Sequence, residues 1–242
     1  MKILFATPTG KRRDYIYENY GDKFGAMQTR DVFGSPSKHR LWAFDNGAFA
    51  DFKSGKGFNH RKYAKRVAQI EEMIEKGEIT EPMFSAIPDV VAGGNKSLLR
   101  SLHFYNTVIK NNPYTRHHNS EYKRLNWALV VQDGMSFEAI AEALDRMKLV
   151  TTIFIGGSKP WKYAMGEEIV KFAKKRKLKV HIGGVGTVSK ILWAKHIGAD
   201  SVDSGVAMIH SCHLKKVLNI HNTPEWSQKP GIKRQTVMEF AS

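Results

Sequence analysis

The sequence predicts a single (β/α)8 barrel, an α/β fold, and three observations lead to this class. Short apolar, β-branched or aromatic runs alternate with amphipathic helical patterns, which is typical of a parallel sheet built from βαβ units. Seven such runs are recognisable in a chain of 242 residues, close to the eight strands and roughly 250 residues of a closed barrel. Several of the runs end in a polar side chain, where barrels place their functional groups.

The predicted strands are, in chain order, KILFAT, LWAFD, MFSAIPDVV, WALVVQ, VTTIFIGG, KVHIGG and DSVDSG. The helical patterns between them repeat apolar residues every three or four positions; they are HRKYAKRVAQIEEMIEKG, NKSLLRSLHFYNTVIKN, SFEAIAEALDRM, GEEIVKFAKKRK and VSKILWAKHIG. A doubly wound open sheet is the alternative fold. It is less favoured because no GxGxxG turn follows the first strand.

Two polar stretches interrupt this alternation, at about residues 7–40 and 111–126, and we interpret both as loop insertions. Loops of this length are usually functional or disordered. The eighth strand is not recognisable, and neither is the structure of the tail at about 210–242. Because no change of composition divides the chain, we expect one domain over 1–242.

The charge is strongly basic, with 38 Lys+Arg against 23 Asp+Glu, a net charge of +15 and a pI near 9.8. This balance favours a polyanionic partner such as nucleic acid, although a merely solubilising surface is the alternative. No apolar run is long enough for a bilayer, and the N-terminal segment is too short for a secretory signal. Cys212 is the single cysteine, which excludes an internal disulfide and suits a reducing compartment. We therefore expect a cytoplasmic protein without membrane contact.

Polar residues close three of the predicted strands. Asp45 leaves a carboxylate at the rim before Gly47, unless it only forms an Asx turn. Asp89 follows a strand but precedes the next helix by several residues, which favours a pocket role over a capping role. Gln132 could read the edge of a heterocycle with its amide, or be tied to the backbone.

The last predicted strand contains two acids, Asp200 and Asp203. Side chains alternate between the two faces of a strand, so these two point in opposite directions. Asp203 lies at the carboxyl end and is the better candidate for the pocket. An isolated carboxylate there could act as a nucleophile on an anomeric carbon.

Two glycine-rich turns follow later strands. Gly156 and Gly157 can present backbone N–H groups to a ligand oxygen, and Lys159 and Lys162 come soon after them. The turn HIGGVGT at 181–187 leads into a helix whose N-terminus could hold an anion. Each turn is a weak signal by itself, because such loops are common after barrel strands.

Metal binding is not expected. His210, Cys212 and His213 lie close together in the sequence. A structural zinc site usually takes four ligands, and no second cysteine exists to complete one.

Taken in order, these motifs resemble the tRNA-guanine transglycosylase superfamily, most closely the DNA-guanine transglycosylases of phages and bacteria (the DpdA family). The resemblance covers about residues 40 to 206. Its carriers are the segments FDNGAF at 44–49, IPD at 87–89, VVQDG at 130–134, IGG at 155–157, GGVGT at 183–187 and DSVDS at 200–204.

The resemblance implies a role for each strand-end residue. Asp203 would be the nucleophile that forms a covalent intermediate with C1′ of the target nucleotide, and Asp45 would be the general acid and base. Asp89 would accept hydrogen bonds from the Watson–Crick edge of guanine. The guanine carbonyl would be held by Gln132 and by the backbone of Gly156 and Gly157.

The resemblance also implies that Phe49 contributes to the base pocket. Double-stranded DNA with a flipped guanine and a 7-deazaguanine such as preQ0 would be the substrates, and no cofactor is expected. Cationic residues at the same rim would contact the phosphates: Lys11, Arg12, Arg13, Lys159 and Lys162. The location would be the host cytoplasm if a phage encodes the chain, and a monomer and a homodimer are both compatible with the sequence.

The chain departs from the tRNA enzymes in two respects. It has Ala48 and Ala50 where those enzymes carry a glycine and a glutamine, and it lacks their zinc-binding cysteines. The missing cysteines favour DNA over tRNA. Modification of tRNA, a flavin or sugar-phosphate barrel enzyme, and a non-catalytic nucleic-acid-binding protein are the alternatives.

Overall fold

The chain forms a closed barrel of eight parallel strands, in which each strand pairs with the next along the sequence and β8 pairs with β1. This architecture confirms the predicted (β/α)8 class. The computed structural model describes residues 1–6, 10–21, 23–34, 41–110 and 125–227, without the side chains of 10–13 and 17. Among these residues, no helix combines the length and apolar character needed to cross a membrane.

The strands are β1 Lys2–Ala6, β2 Phe24–Thr29, β3 Trp42–Asp45, β4 Ser85–Ala86, β5 Trp127–Val131, β6 Val150–Ile155, β7 Lys179–Ile182 and β8 Ser201–Ser204. The α-helices are α1 Gly10–Tyr20, α2 Ala48–Lys53, α3 His60–Glu75, α4 Asn95–Phe104, α5 Phe137–Arg146, α6 Lys159–Lys175, α7 Val188–His196, α8 Val206–Ile209, α9 Ser211–Leu218 and α10 Pro224–Ser227. A π-helical turn at Tyr105–Ile109 extends α4, and a 3₁₀ turn at Ile220–Asn222 follows α9.

The interpretation of residues 7–40 as an insertion is wrong, because this stretch contains α1 and the eighth strand, β2. The strand sequence FGAMQT carries Gly25 and only one β-branched residue, so propensity alone does not reveal it. Its place is decided by closure of the barrel, since β2 pairs with β1 on one side and with β3 on the other. Residues 111–124 of the second predicted insertion lie outside the described residues.

The tail that the sequence left unassigned is helical as far as Ser227. Leu214, Val217 and Leu218 of α9 are buried and join the apolar layer around the barrel, as does Ile220. Residues 228–242 lie outside the described residues.

The strands separate two apolar layers. The barrel interior is closed by a small cluster of five buried side chains: Leu4, Met27, Ala43, Phe84 and Ala128. The much larger outer layer lies between the strands and the helices, and in β1, for example, Ile3 and Phe5 belong to it while Leu4 points inward. This two-residue alternation places inward side chains near the carboxyl ends of the strands in one shared space.

The interior is tightly packed where β1, β2 and β3 meet. A Cβ atom on Gly25 would lie 2.4 Å from the carbonyl oxygen of Leu41 and 2.7 Å from Leu4 Cδ2. A backbone atom cannot move aside as easily as the end of a side chain. The glycine that hid this strand in the sequence is therefore a packing requirement of the barrel.

We predict that Gly25→Ala lowers the free energy of unfolding by about 1–3 kcal/mol, the usual cost of overpacking a core. Gly57→Ala is the matched control, because a Cβ atom at Gly57 meets nothing within 4 Å, and it should change stability by less than about 0.5 kcal/mol. Urea unfolding followed by circular dichroism measures both. Equal midpoints for the two variants would contradict this account of the packing.

Candidate active site

The four polar residues predicted from the sequence lie at the carboxyl end of the barrel. Asp45 is the last residue of β3, Gln132 follows β5 directly, and Asp203 is the third residue of β8. Asp89 comes three residues after β4. Parallel strands bring these ends to one rim, and both the Asp89 and the Asp203 charges act on Asp45.

Only one of the two carboxylate oxygens of Asp203 is hydrogen-bonded to described residues. Its Oδ1 lies 3.1 Å from Nε2 of His181 and accepts a hydrogen bond of 3.0 Å from the N–H of Gly184. Its Oδ2 has no hydrogen-bond partner among the residues that the structure describes. The Asp203 side chain remains 15% exposed, so it is partly accessible from outside the barrel.

Asp200 faces the other way, as the alternation along β8 predicts. Its Oδ2 accepts a hydrogen bond of 2.6 Å from the N–H of Val180 and forms an ion pair with Lys174 on α6. The expectation that Asp203 rather than Asp200 faces the barrel interior is confirmed.

Asp45 has an unusual proton affinity. Its pKa is raised to about 7, mainly by burial and further by the negative charges of Asp89 and Asp203. The backbone N–H groups of Asn46 and Gly47 oppose the rise by hydrogen bonding to the carboxylate. A carboxyl group with this pKa is partly protonated at neutral pH, which suits general acid and base catalysis.

Asp89 is buried and receives two amide donors. Asn46 Nδ2 donates to its Oδ1 at 2.8 Å, and Gln132 Nε2 donates to its Oδ2 at 3.1 Å. Burial raises the pKa of Asp89, while these two hydrogen bonds and the nearby charge of Arg100 lower it. Each carboxylate oxygen keeps further acceptor capacity, so Asp89 can still accept hydrogen bonds from a ligand.

Gln132 is occupied by the protein itself. Its Oε1 accepts the N–H of Ala92 at 2.7 Å, and its Nε2 also lies 2.8 Å from Val90 O and 2.9 Å from Ser97 Oγ. Of the two interpretations left open by the sequence, the structure shows the amide tied to the backbone. Gln132 therefore positions Asp89 and the loop after β4 in this structure.

The two glycines after β6 differ from each other. The N–H of Gly156 donates to Val131 O at 2.9 Å, which continues the strand pairing and removes it as a donor to a ligand. The N–H of Gly157 has no hydrogen-bond partner among the described residues. A Cβ atom on Gly157 (φ 75°) would lie 2.4 Å from Asp133 Oδ2, and that carboxylate binds the N–H and hydroxyl of Ser158.

The second glycine-rich turn holds a carboxylate of the protein. We expected HIGGVGT to present its backbone to a bound anion, but the N–H of Gly184 donates to Asp203 and the N–H of Val185 donates to Asp203 O at 2.8 Å. These two N–H groups are therefore already occupied by Asp203 and are not free to bind a phosphate. This contact weighs against the flavin or sugar-phosphate alternative.

The predicted cations have different environments. Lys162 is largely buried, and its Nζ donates to Gly183 O at 2.6 Å. Burial lowers its pKa, an effect that the charge of Asp203 opposes. Lys159 is exposed at the start of α6. The side chains of Lys11, Arg12 and Arg13 lie outside the described residues.

Phe49 is 61% exposed on α2, the short helix that begins three residues after Asp45. Phe52 on the same helix is 57% exposed, and Lys53 Nζ lies 5.9 Å from the centre of the Phe49 ring. Helix α2 therefore presents two aromatic rings and a cation next to the strand end that carries Asp45.

Three further residues of this rim were not predicted from the sequence. His181 is completely buried and contacts Asp203; its inward position in the alternation of KVHIGG was an available signal. Asn46 bridges β3 and the β4 loop by donating to Ile87 O as well as to Asp89. Arg30 directly follows β2, a strand that was itself missed; its side chain is buried and forms ion pairs with Asp31 and Asp51.

The possible metal ligands near the C-terminal helices do not form a cluster. The ring centres of His210 and His213 lie 5.8 Å apart, and Cys212 is exposed. Within the described part of the chain, no group of three His, Cys, Asp or Glu side chains is arranged to hold a metal ion.

No family model matches the chain, and no curated protein matches it. Among solved structures, it is similar to a protein from Sinorhizobium meliloti described as a "putative isomerase" in an open-loop conformation. The match has a TM-score of 0.47 and 12% sequence identity, and it covers 87% of this chain and 51% of that chain. The chain thus spans about half the length of that structure. The barrel itself is established by the strand pairing of this chain.

We predict that Asp45 titrates near pH 7 in the folded protein and that Asp89→Asn lowers this value by removing a negative neighbour. Carboxyl ¹³C NMR of aspartate-labelled protein measures the titration. Asp145→Asn is the control, because Asp145 is exposed and paired with Arg176 on the outer surface. An Asp45 titration that is the same in both variants would contradict the coupling.

The raised pKa of Asp45 also determines how the stability of the fold depends on pH. Between about pH 4 and 7 the folded state keeps the Asp45 proton that the unfolded chain has lost, so stability falls as pH rises. The contribution is on the order of 4 kcal/mol at most. Asp45→Asn should therefore unfold at higher urea concentration than the wild type at pH 8, and this advantage should shrink toward pH 4.

Proposed function

We propose that this chain is an enzyme, a guanine transglycosylase that exchanges guanine in DNA for a 7-deazaguanine by double displacement. One observation carries the proposal. Two carboxyl groups at one barrel end have environments that separate their roles: Asp203 is fixed with one oxygen unpaired, and Asp45 has a pKa of about 7. Such a division between neighbouring carboxyl groups is the arrangement that acid–base and nucleophilic catalysis requires.

In the first displacement, Asp203 Oδ2 attacks C1′ of the target nucleotide and forms a covalent ester. The bond from C1′ to N9 of guanine breaks, and its electron pair leaves with the base. Protonated Asp45 delivers a proton to the departing base, so neutral guanine is released. The charge of Lys162, which acts on Asp203, stabilises the carboxylate before the attack.

The second displacement reverses these steps with a different base. The Asp45 carboxylate takes the N9 proton of the incoming 7-deazaguanine, and N9 attacks C1′ as the ester bond breaks. Asp203 is released as a carboxylate, and Asp45 again carries a proton. Because Asp45 must act first as an acid and then as a base, a pKa near the working pH serves both steps.

In this proposal the base is recognised by Asp89, Gly157 and Phe49. Asp89 is held by Asn46 and Gln132 in a buried place, where its oxygens can accept from N1–H and the exocyclic amine of guanine. The unpaired N–H of Gly157 is a donor for the guanine carbonyl. The exposed ring of Phe49 can stack on the base at the rim.

The target base must leave the helix stack to reach such a rim, which costs a few kcal/mol. Cationic contacts to the flanking phosphates and aromatic contacts from α2 can offset this cost. The net charge of +15 supports a nucleic acid as the substrate. Because the chain has a single cysteine, it lacks the zinc-binding cysteines of the tRNA enzymes, and this supports DNA, as does the resemblance stated above. Transfer RNA is the alternative polymer, and the exchange assay distinguishes the two.

We predict that Asp203→Asn lowers base exchange by more than about 10³-fold, because the amide cannot act as the nucleophile. Asp200→Asn is the matched control on the same strand, and it should keep the wild-type rate since Asp200 faces outward. The assay measures labelled guanine or preQ0 incorporated into duplex DNA, with tRNA in parallel. Undiminished incorporation by Asp203→Asn would contradict the mechanism. Incorporation into tRNA and not into DNA would show that the substrate is RNA.

We predict that Asp45→Asn lowers exchange by about 10²–10⁴-fold, the usual contribution of general acid–base catalysis. Loss of the proton donor should slow base departure and base attack, while Asp203 stays in place. The wild-type pH profile should show a group near pH 7 that the variant lacks. A profile that is unchanged by Asp45→Asn would contradict this role.

We predict that affinity for duplex DNA falls steeply with salt, because phosphate contacts release counterions. Lys159→Ala should reduce the slope of log affinity against log salt by about one contact. Lys171→Ala on the same helix is the control, since Lys171 lies three turns away and pairs with Glu167 at 2.7 Å. Fluorescence anisotropy over a salt series measures both slopes, and equal slopes would remove Lys159 from the interface.

A further inference from the structure

His181 is a polar residue enclosed in the apolar interior of the barrel. Its side chain is completely buried on β7, and its ring centre lies 4.7 Å from the ring centres of both Phe84 and Phe154. Its two ring nitrogens both contact β8: Nε2 lies 3.1 Å from Asp203 Oδ1, and Nδ1 lies 2.9 Å from Ser201 Oγ. The imidazole therefore bridges two residues that face the same side of one strand.

The chemistry of these partners fixes the tautomer of the ring. A carboxylate oxygen only accepts hydrogen bonds, so Nε2 must carry a proton and donate it to Asp203. In the neutral ring Nδ1 is then an acceptor, and the hydroxyl of Ser201 can rotate to donate to it.

The consequence lies in the orientation of the Asp203 carboxylate. His181 and Gly184 both donate to Oδ1, which stops rotation about the last side-chain bond and leaves Oδ2 as the unpaired oxygen. Lys162 is a competing cation, since its charge acts on Asp203 from α6. Without the imidazole donor, the carboxylate is free to turn toward this ammonium group.

We propose that His181, held in the Nε2–H form by Ser201, is a positioning residue that makes Oδ2 the attacking oxygen of Asp203. The part of this inference that concerns attack rests on the proposed function. The part that concerns the tautomer and the carboxylate orientation does not. Misplacing a reacting atom by about 1 Å can cost roughly 10²-fold in rate, so the positioning effect is measurable.

A matched pair of variants separates position from packing. His181→Phe keeps a ring between Phe84 and Phe154 but removes both nitrogens, whereas His181→Gln retains an amide donor that can reach Asp203. We expect His181→Phe to lower kcat for exchange about 10²-fold with KM for DNA within about twofold. His181→Gln should stay within about tenfold of the wild type, because it keeps one donor that holds Asp203 near its position.

The tautomer is measured independently of any activity. ¹⁵N NMR of histidine-labelled protein, with the His181 signal assigned by its loss in His181→Gln, should show the Nε2–H form at neutral pH. Ser201→Ala removes the donor to Nδ1 while leaving the core intact, and the fraction of the Nδ1–H form should increase. Crystal structures of the wild type and His181→Gln should both show Oδ1 bound and Oδ2 unpaired.

A wild-type signal from the Nδ1–H form, or a wild-type kcat in His181→Phe, would overturn the inference. If His181→Phe does not fold, Ser201→Ala and His181→Gln still test it through the tautomer and the carboxylate orientation. If the wild type exchanges no base at all, the proposed function fails. The NMR and crystallographic results then still decide whether His181 orients Asp203.

Discussion

The burial of Asp45 beside two other carboxyl groups at one end of the barrel is the constraint on which the site depends. Burial raises the pKa of Asp45, and the charges of Asp89 and Asp203 raise it further. Each of the other two carboxylates is stabilised by dedicated donors, Asp203 by an imidazole and a backbone N–H and Asp89 by two amides. Asp45 accepts hydrogen bonds from the N–H groups of Asn46 and Gly47, but burial and the two neighbouring charges outweigh them, so its pKa is about 7.

The groups that donate hydrogen bonds to Asp89 and to Asp203 lie in two separate halves of the rim. One half, on the strands β3 to β5, is a continuous amide network in which Asn46 also accepts the N–H of Ala48 at 2.8 Å and so fixes the start of α2. The other half contains His181 on β7, Asp203 on β8 and Lys162 on α6. In the proposed reaction the first half binds the base and transfers its proton, while the second half contains the carboxylate that attacks the sugar carbon.

Glycines in both turns place backbone N–H groups at this rim. At Gly184 (φ 68°) the N–H donates to Asp203. The N–H of Gly157 has no hydrogen-bond partner among the described residues, and Asp133 fills the space that a Cβ atom on Gly157 would need. Similar sequence patterns thus have different functions at the two turns. One turn helps to hold the Asp203 carboxylate, and the other leaves an N–H group unpaired among the described residues.

The sequence by itself determined the barrel class, seven of its strands, and the strand ends at which Asp45, Asp89 and Asp203 lie, because alternation and strand termination are local properties. Tertiary structure decided the rest. Strand β2 follows from ring closure, since Gly25 is required by the contacts of Leu4 and Leu41. The commitment of Gln132 to the protein and the link from His181 to Asp203 depend on neighbours from other strands. Which oxygen of a carboxylate is held, and which is left open, is set by donors that only folding brings together.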